Sequence, residues 1–190
     1  MIILFLVSLL IAIFLHELFH LIAAKLCKCG VEIFSIGFGR PIFSFKYKET
    51  QYNFTPFLLG GYCKLKEEMK YSRSKYAFTN LSYTKKLIIS LAGVAINIAT
   101  GLLGMIIGKY IQNYNVFYFG YLSFWLGVTN LIPIPALDGS YPILVWLEKI
   151  YGKKRGYAKM ERMCKVGFLI LMILNILCIP LLIALMIGKR

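Results

Sequence analysis

The sequence predicts a polytopic α-helical membrane protein of about four spans, and three observations carry that expectation. Hydrophobic residues make up 59% of the 190-residue chain, above the roughly 45–50% usual for soluble domains. Apolar runs long enough for a hydrocarbon core of about 30 Å recur along it, and most of its lysines and arginines sit between them. Within one of these runs lies His16-Glu17-Leu18-Phe19-His20, a group too polar to be placed in lipid without a task.

The first span is expected at residues 2–26. The apolar run continues past the histidines, with no basic start and no A-x-A site, so it reads as a retained span and not as a cleaved signal. A second span, 87–108, follows Lys85-Lys86. The third starts near Val116, is broken at Pro133–Gly139 and resumes to Tyr151, giving a broken span over 116–151. The fourth covers 166–187, where Pro180 removes one helical hydrogen bond and is expected to kink it. The chain reads as one domain, 1–190.

Between the first two spans the texture changes. Phe43-Ser44-Phe45-Lys46-Tyr47-Lys48 alternates with period two, and Lys48-Glu49-Thr50 is a polar turn. The segment 31–65 therefore reads as membrane-associated β-hairpins. Such backbone survives at membrane depth only when buried in protein or lining a wet cavity. Residues 67–86 read as a basic surface linker.

Charge sets the orientation. From Lys25 to Lys86 there are twelve Lys or Arg against four Glu, and from Glu148 to Lys165 seven against two. The positive-inside rule puts both segments in the cytoplasm and both termini outside, with Lys189 and Arg190 on the disfavoured side. The net charge of +14 then suits an anionic lipid surface at the cytoplasmic face and not nucleic acid. In this orientation His16, His20 and Asp138 reach a similar depth, towards the cytoplasmic side.

Residues four apart on a helix lie about 40° apart in azimuth and roughly 6 Å apart along the axis. His16 and His20 can therefore hold one cation between them, with Glu17 beside it as general base: the H-E-x-x-H pattern of zinc hydrolases. A hydrolytic zinc takes three protein ligands, so one more donor is required. Asp138, the chain's only Asp, sits in the proline-broken segment Asn130 to Gly139, where freed backbone makes room for polar ligands. Cys27 and Cys29 are the other candidates, although they follow the first helix too closely to face back onto it easily. The five cysteines form no disulfide spacing and read as reduced thiols.

In these segments the chain resembles the site-2 proteases, a family of intramembrane zinc metalloproteases. His16 to His20 is similar to their H-E-x-x-H helix, and Phe34 to Gly39 with Gly60-Gly61-Tyr62 to their membrane-associated β-region. Ala92-Gly93-Val94-Ala95-Ile96-Asn97 is similar to A-G-P-x-x-N, with Val94 where proline is usual. Asn130 to Gly139 is similar to N-x-x-P-x-x-x-L-D-G, followed by Ser140 where glycine is usual. The resemblance implies His16, His20 and Asp138 as ligands of one zinc per chain, Glu17 as catalytic base, and Asn130 as a donor to the substrate carbonyl. It implies a protein anchored in the cell membrane as substrate. Leu65 to Leu87 is too short for a PDZ domain, and no nucleotide-sensing domain is expected after the last span. A minimal form, regulated by a membrane partner or by substrate processing, is expected. A metal transporter would not need Glu17 and would be expected to show internal repeats; a scaffold would not need Glu17 with three ligands.

Overall fold

The structure, a computed structural model, describes residues 2–68 and 74–187. Residues 69–73 of the basic linker, Lys189, Arg190 and the side chain of Pro180 lie outside what is described. The first helix, α1 (Ile2–Leu26), contains no glycine or proline. It ends where Lys28 turns left-handed (φ 60) and the Cys29 N–H reaches back to the Ala24 carbonyl at 2.8 Å, which satisfies carbonyls left open by the last turn.

Four strands follow: β1 (Val31–Phe38), β2 (Phe43–Tyr47), β3 (Thr50–Phe54) and β4 (Phe57–Leu65). Their sheet order is β2-β3-β1-β4. The expected hairpin is present in β2 and β3, where Tyr47 pairs with Thr50 across Lys48 (φ 54) and Glu49. The rest is not a run of hairpins. β1 pairs parallel with β3 and antiparallel with β4, because β1 is the buried strand and takes a partner on each edge. Phe34 of β1 meets Phe14 of α1 edge-on at 6.4 Å, while Val31, Leu65 and Leu21 join the same core. Lys25 also ties α1 to the sheet, donating to Thr50 Oγ1 at 2.8 Å.

After a short 3-10 turn (Phe78–Asn80), α2 (Tyr83–Tyr110) and α3 (Tyr114–Asn130) form an antiparallel pair. Asn113 caps α3, accepting from the Asn115 and Val116 amides. The two helices approach closely along Gly101, Gly104 and Gly108 of α2, with Gly120 of α3 set against Gly104; a Cβ on Gly104 would stand 2.8 Å from the Gly120 Cα. Small residues permit such close packing where no hydrophobic effect drives helices together.

The break at Pro133–Gly139 separates two helices. α3 stops at Asn130, and α4 (Tyr141–Ile187) starts after a 3-10 turn at Asp138–Ser140. Gly152 (φ 73) is non-helical and divides α4 into two helices at a kink, next to the expected end of the third span. The basic stretch 153–165, expected as a connection, is helical: Lys, Arg, Glu and Met are good helix formers and nothing there breaks the ladder. Among the described residues, α1 and α2 are long and apolar enough to cross a membrane; α3 has 17 residues.

Lys86 departs from its expected place on the basic surface. It is buried, donating to Glu148 Oε1 at 3.0 Å and to the Tyr157 hydroxyl at 2.6 Å. Its apolar stem and the rings of Phe78, Tyr83 and Tyr157 around its ammonium explain how a lysine next to an exposed Lys85 goes inside.

Candidate metal centre

His16 and His20 stand one turn apart on α1, and both are buried. The loop after α3 brings in the third group. Gly139 packs against the Leu131 carbonyl, and any Cβ there would also lie 2.7 Å from the Ile132 oxygen. Ala136 takes φ 86, a conformation that costs a residue with a Cβ about 1–2 kcal/mol. This tight reversal sets Asp138 at the start of the 3-10 turn, with Oδ2 2.9 Å from His16 Nε2 and 3.2 Å from His20 Nε2. The two Nε2 atoms are 3.1 Å apart.

Three donors from three places in the chain thus face one point. Four-coordinate zinc with bonds of about 2.0–2.2 Å separates its donors by roughly 3.3–3.6 Å, slightly more than is seen here. His20 Nδ1 donates to the Ile89 carbonyl at 2.7 Å, which leaves the lone pair of Nε2 directed at Asp138. Gly93 of α2 lies against both rings: a Cβ would strike His20 Nε2 and come within 2.8 Å of His16 Cε1 and Nδ1. The donor set and the fixed His20 tautomer fit a zinc ion. Among the described residues this is the one group of three or more His, Cys, Asp or Glu whose donor atoms converge.

Glu17 is half-buried on the neighbouring face of α1, with its carboxylate turned to the Cys63 backbone N–H and its Cγ close to Gly61 of β4. A cavity of about 320 Å³ opens beside it, lined in part by His20, Cys63, Glu68 and Asp138. β4 pairs with β1 on one edge, and residues 61–65 of the strand form one wall of this cavity. Burial pushes the Glu68 carboxyl up to about 7, although the Leu65 N–H opposes the shift.

Asn130 ends α3 half-buried and is not among the residues lining that cavity. Cys27 and Cys29 do not join the cluster. Cys29 donates to the Gly30 carbonyl, and burial pushes its thiol up to about 12; that protonated thiol is a poor metal ligand. One residue at the centre falls within the sequence resemblance without a role: Asn97 of α2, fully buried, lies with Nδ2 3.2 Å from His16 Nδ1. Its signal is present in the Ala92–Asn97 segment, but sequence spacing does not say which helix it faces.

A profile of peptidase family M50 matches residues 4–118 and 109–174. The chain belongs to peptidase family M50, the site-2 protease family. Several relatives are named "Putative zinc metalloprotease". One from Borreliella burgdorferi is 40% identical over 121 residues, covering 58% of this chain and 27% of its own length. One from Neisseria meningitidis is 35% identical over 133 residues, 68% of this chain and 26% of its own. One from Helicobacter pylori is 40% identical over 92 residues, 45% and 26% respectively. The chain spans about a quarter of the length of these relatives. M50 is a family of membrane proteins, and the two apolar helices α1 and α2 are consistent with that membership.

Proposed function

We propose that this M50 protein is a zinc-dependent intramembrane endopeptidase that hydrolyses peptide bonds in or near the transmembrane helices of membrane-anchored proteins. The observation that carries this is the convergence of His16, His20 and Asp138 beside Glu17 at the mouth of a cavity. His16, His20 and Asp138 would hold one zinc per chain. When bound, zinc polarises a carbonyl and lowers the pKa of a water towards about 7. Glu17 takes the proton of the attacking water and returns it to the leaving amine. Asn130 would donate to the developing oxyanion, as the family resemblance implies, worth about 3–4 kcal/mol in the transition state.

A helical substrate hides its carbonyls and must unwind to be cut. The β4 residues lining the cavity beside Glu17 are suited to take an unwound segment by strand addition, better placed than the β2–β3 hairpin. We assign four spans, with the cluster towards the cytoplasm and the exposed row Phe43, Phe45 and Tyr47, flanked by Lys46 and Lys48, at an anionic lipid surface. Regulation would come through a membrane partner or through a first cut elsewhere in the substrate.

The test is co-expression with single-span membrane proteins, comparing wild type with Glu17→Gln. Gln keeps the shape but accepts no proton, so cleavage should fall about 10²–10⁴-fold with zinc content unchanged. Wild-type cleavage by Glu17→Gln would remove the assigned base. Thiol labelling of single cysteines placed at Lys75 and Lys153 tests orientation: reaction from outside intact cells would reverse it.

A further inference from the structure

The polar cluster does not end at its three donors. Asn97 is wholly inside the protein, and its Oδ1 has no hydrogen-bond partner. Its backbone carbonyl accepts from Ser123 Oγ of α3 at 3.1 Å, and Ser123 Oγ lies 2.9 Å from Thr100 Oγ1. A primary amide shut away from water with an orphaned oxygen costs about 1–3 kcal/mol, so its position calls for a reason. That reason is His16. A half turn of the amide exchanges Nδ2 and Oδ1, and the partner's chemistry decides between them. For His16 Nε2 to offer a lone pair towards Asp138, His16 Nδ1 must carry the proton. Only Oδ1 can then accept it.

We propose that Asn97 is a positioning residue for the metal: its Oδ1 accepts from His16 Nδ1–H, fixing the tautomer and ring angle of this ligand as the Ile89 carbonyl fixes those of His20. The two histidines are thereby held by one helix, α2, from positions two turns apart, with Gly93 between them leaving room for both rings. The Ser123 and Thr100 hydroxyls hold the α2 backbone at Asn97 against α3. A ligand held in this way binds metal more tightly because less orientational freedom is lost on binding; loss of such a partner typically lowers affinity about 10–100-fold.

This inference rests on the zinc site proposed above, and the test separates the two. The whole chain is purified in detergent, zinc affinity is measured by chelator competition, and the visible spectrum is recorded after cobalt substitution. Asn97→Leu removes the acceptor at nearly constant volume and should lose affinity about 10–100-fold, with an altered cobalt spectrum. Asn97→Asp can only accept, and should bind at least as tightly as wild type with an unshifted spectrum. If Asn97→Leu fails to fold, Asn97→Asp still decides, since an amide donating through Nδ2 would make Asn97→Asp the weak binder. Wild-type affinity in Asn97→Leu, or weakened binding in Asn97→Asp, overturns the inference. Absence of zinc binding by the wild-type chain overturns the site itself.

Discussion

Among the described residues, the cluster around His16 and the cluster around Lys86 are both buried and polar, and they are built in opposite ways. Around His16, His20 and Asp138, three donor atoms crowd one point, supported from α2, and a cavity opens alongside. Around Lys86, Glu148 Oε1 and the Tyr157 hydroxyl already occupy the ammonium, and three aromatic rings enclose it. The first has donors directed at a place for a ligand; the second is satisfied largely by its own members. Burial alone therefore does not mark a site. What marks it is several donors converging on a point that none of them fills.

The two clusters are nevertheless joined through the chain. Lys86 is one turn before Ile89, whose carbonyl holds His20, and Glu148 follows Asp138 on the helix that the 3-10 turn opens into. The ion pair pins the start of α4 to the start of α2, and so sets the frame within which Asp138 meets the histidines.

Breaking the first cluster should have the largest effect. His20→Ala or Asp138→Ala should abolish stoichiometric zinc binding and all proteolysis, checked by metal analysis and a cleavage assay, with a thermal midpoint close to that of the zinc-free wild-type chain. Gly93→Ala should lower zinc affinity about tenfold or more, as displaced metal-ligand supports do, because the new methyl occupies the space of both imidazoles.

Breaking the second should act on stability instead. Glu148→Gln leaves Lys86 buried without its countercharge and should cost about 3–5 kcal/mol, read from thermal or denaturant unfolding in detergent. The folded fraction should still bind zinc. Replacing both partners, Lys86→Met with Glu148→Leu, should recover most of that loss, since an apolar pair of similar volume is often as stable as a buried ion pair. If the double variant is as unstable as the single one, the strut is more than a paired charge.

The smallest effect belongs to Glu68, at the edge of the first cluster. Burial holds its carboxyl at about 7 against an ordinary value of 4.5. Between those values the folded chain keeps a proton that the unfolded chain releases, so stability falls as pH rises through that window and levels off above it. Glu68→Gln should flatten this slope between pH 5 and pH 7, measured by thermal midpoint.

Much of this is legible along the chain because the signals are local. The i, i+4 spacing of His16 and His20, the period-two alternation at Phe43–Tyr47 and the proline-rich break before Asp138 each depend on neighbours in sequence, and each is found in the expected element. Asp138 as partner of the histidines is also reachable, through a resemblance and a depth argument. Lys86 and Asn97 are not. A lysine beside Lys85 reads as a surface charge until Glu148 and Tyr157 of α4 close over it, and Asn97 has a function only because α2 turns that position towards α1.

The sequence by itself determined the elements: where apolar runs become helices, where alternation becomes strands, and which residues are candidates to ligate a metal or to move a proton. The tertiary structure alone decided the pairings between elements. It chose β3 and β4 as partners of β1, brought Asp138 across to α1, sheltered Lys86, and set Asn97 and Ile89 behind the two imidazoles. The physical reason is range. Propensity and periodicity act over a few residues, whereas desolvation and hydrogen-bond satisfaction depend on what the rest of the chain brings alongside.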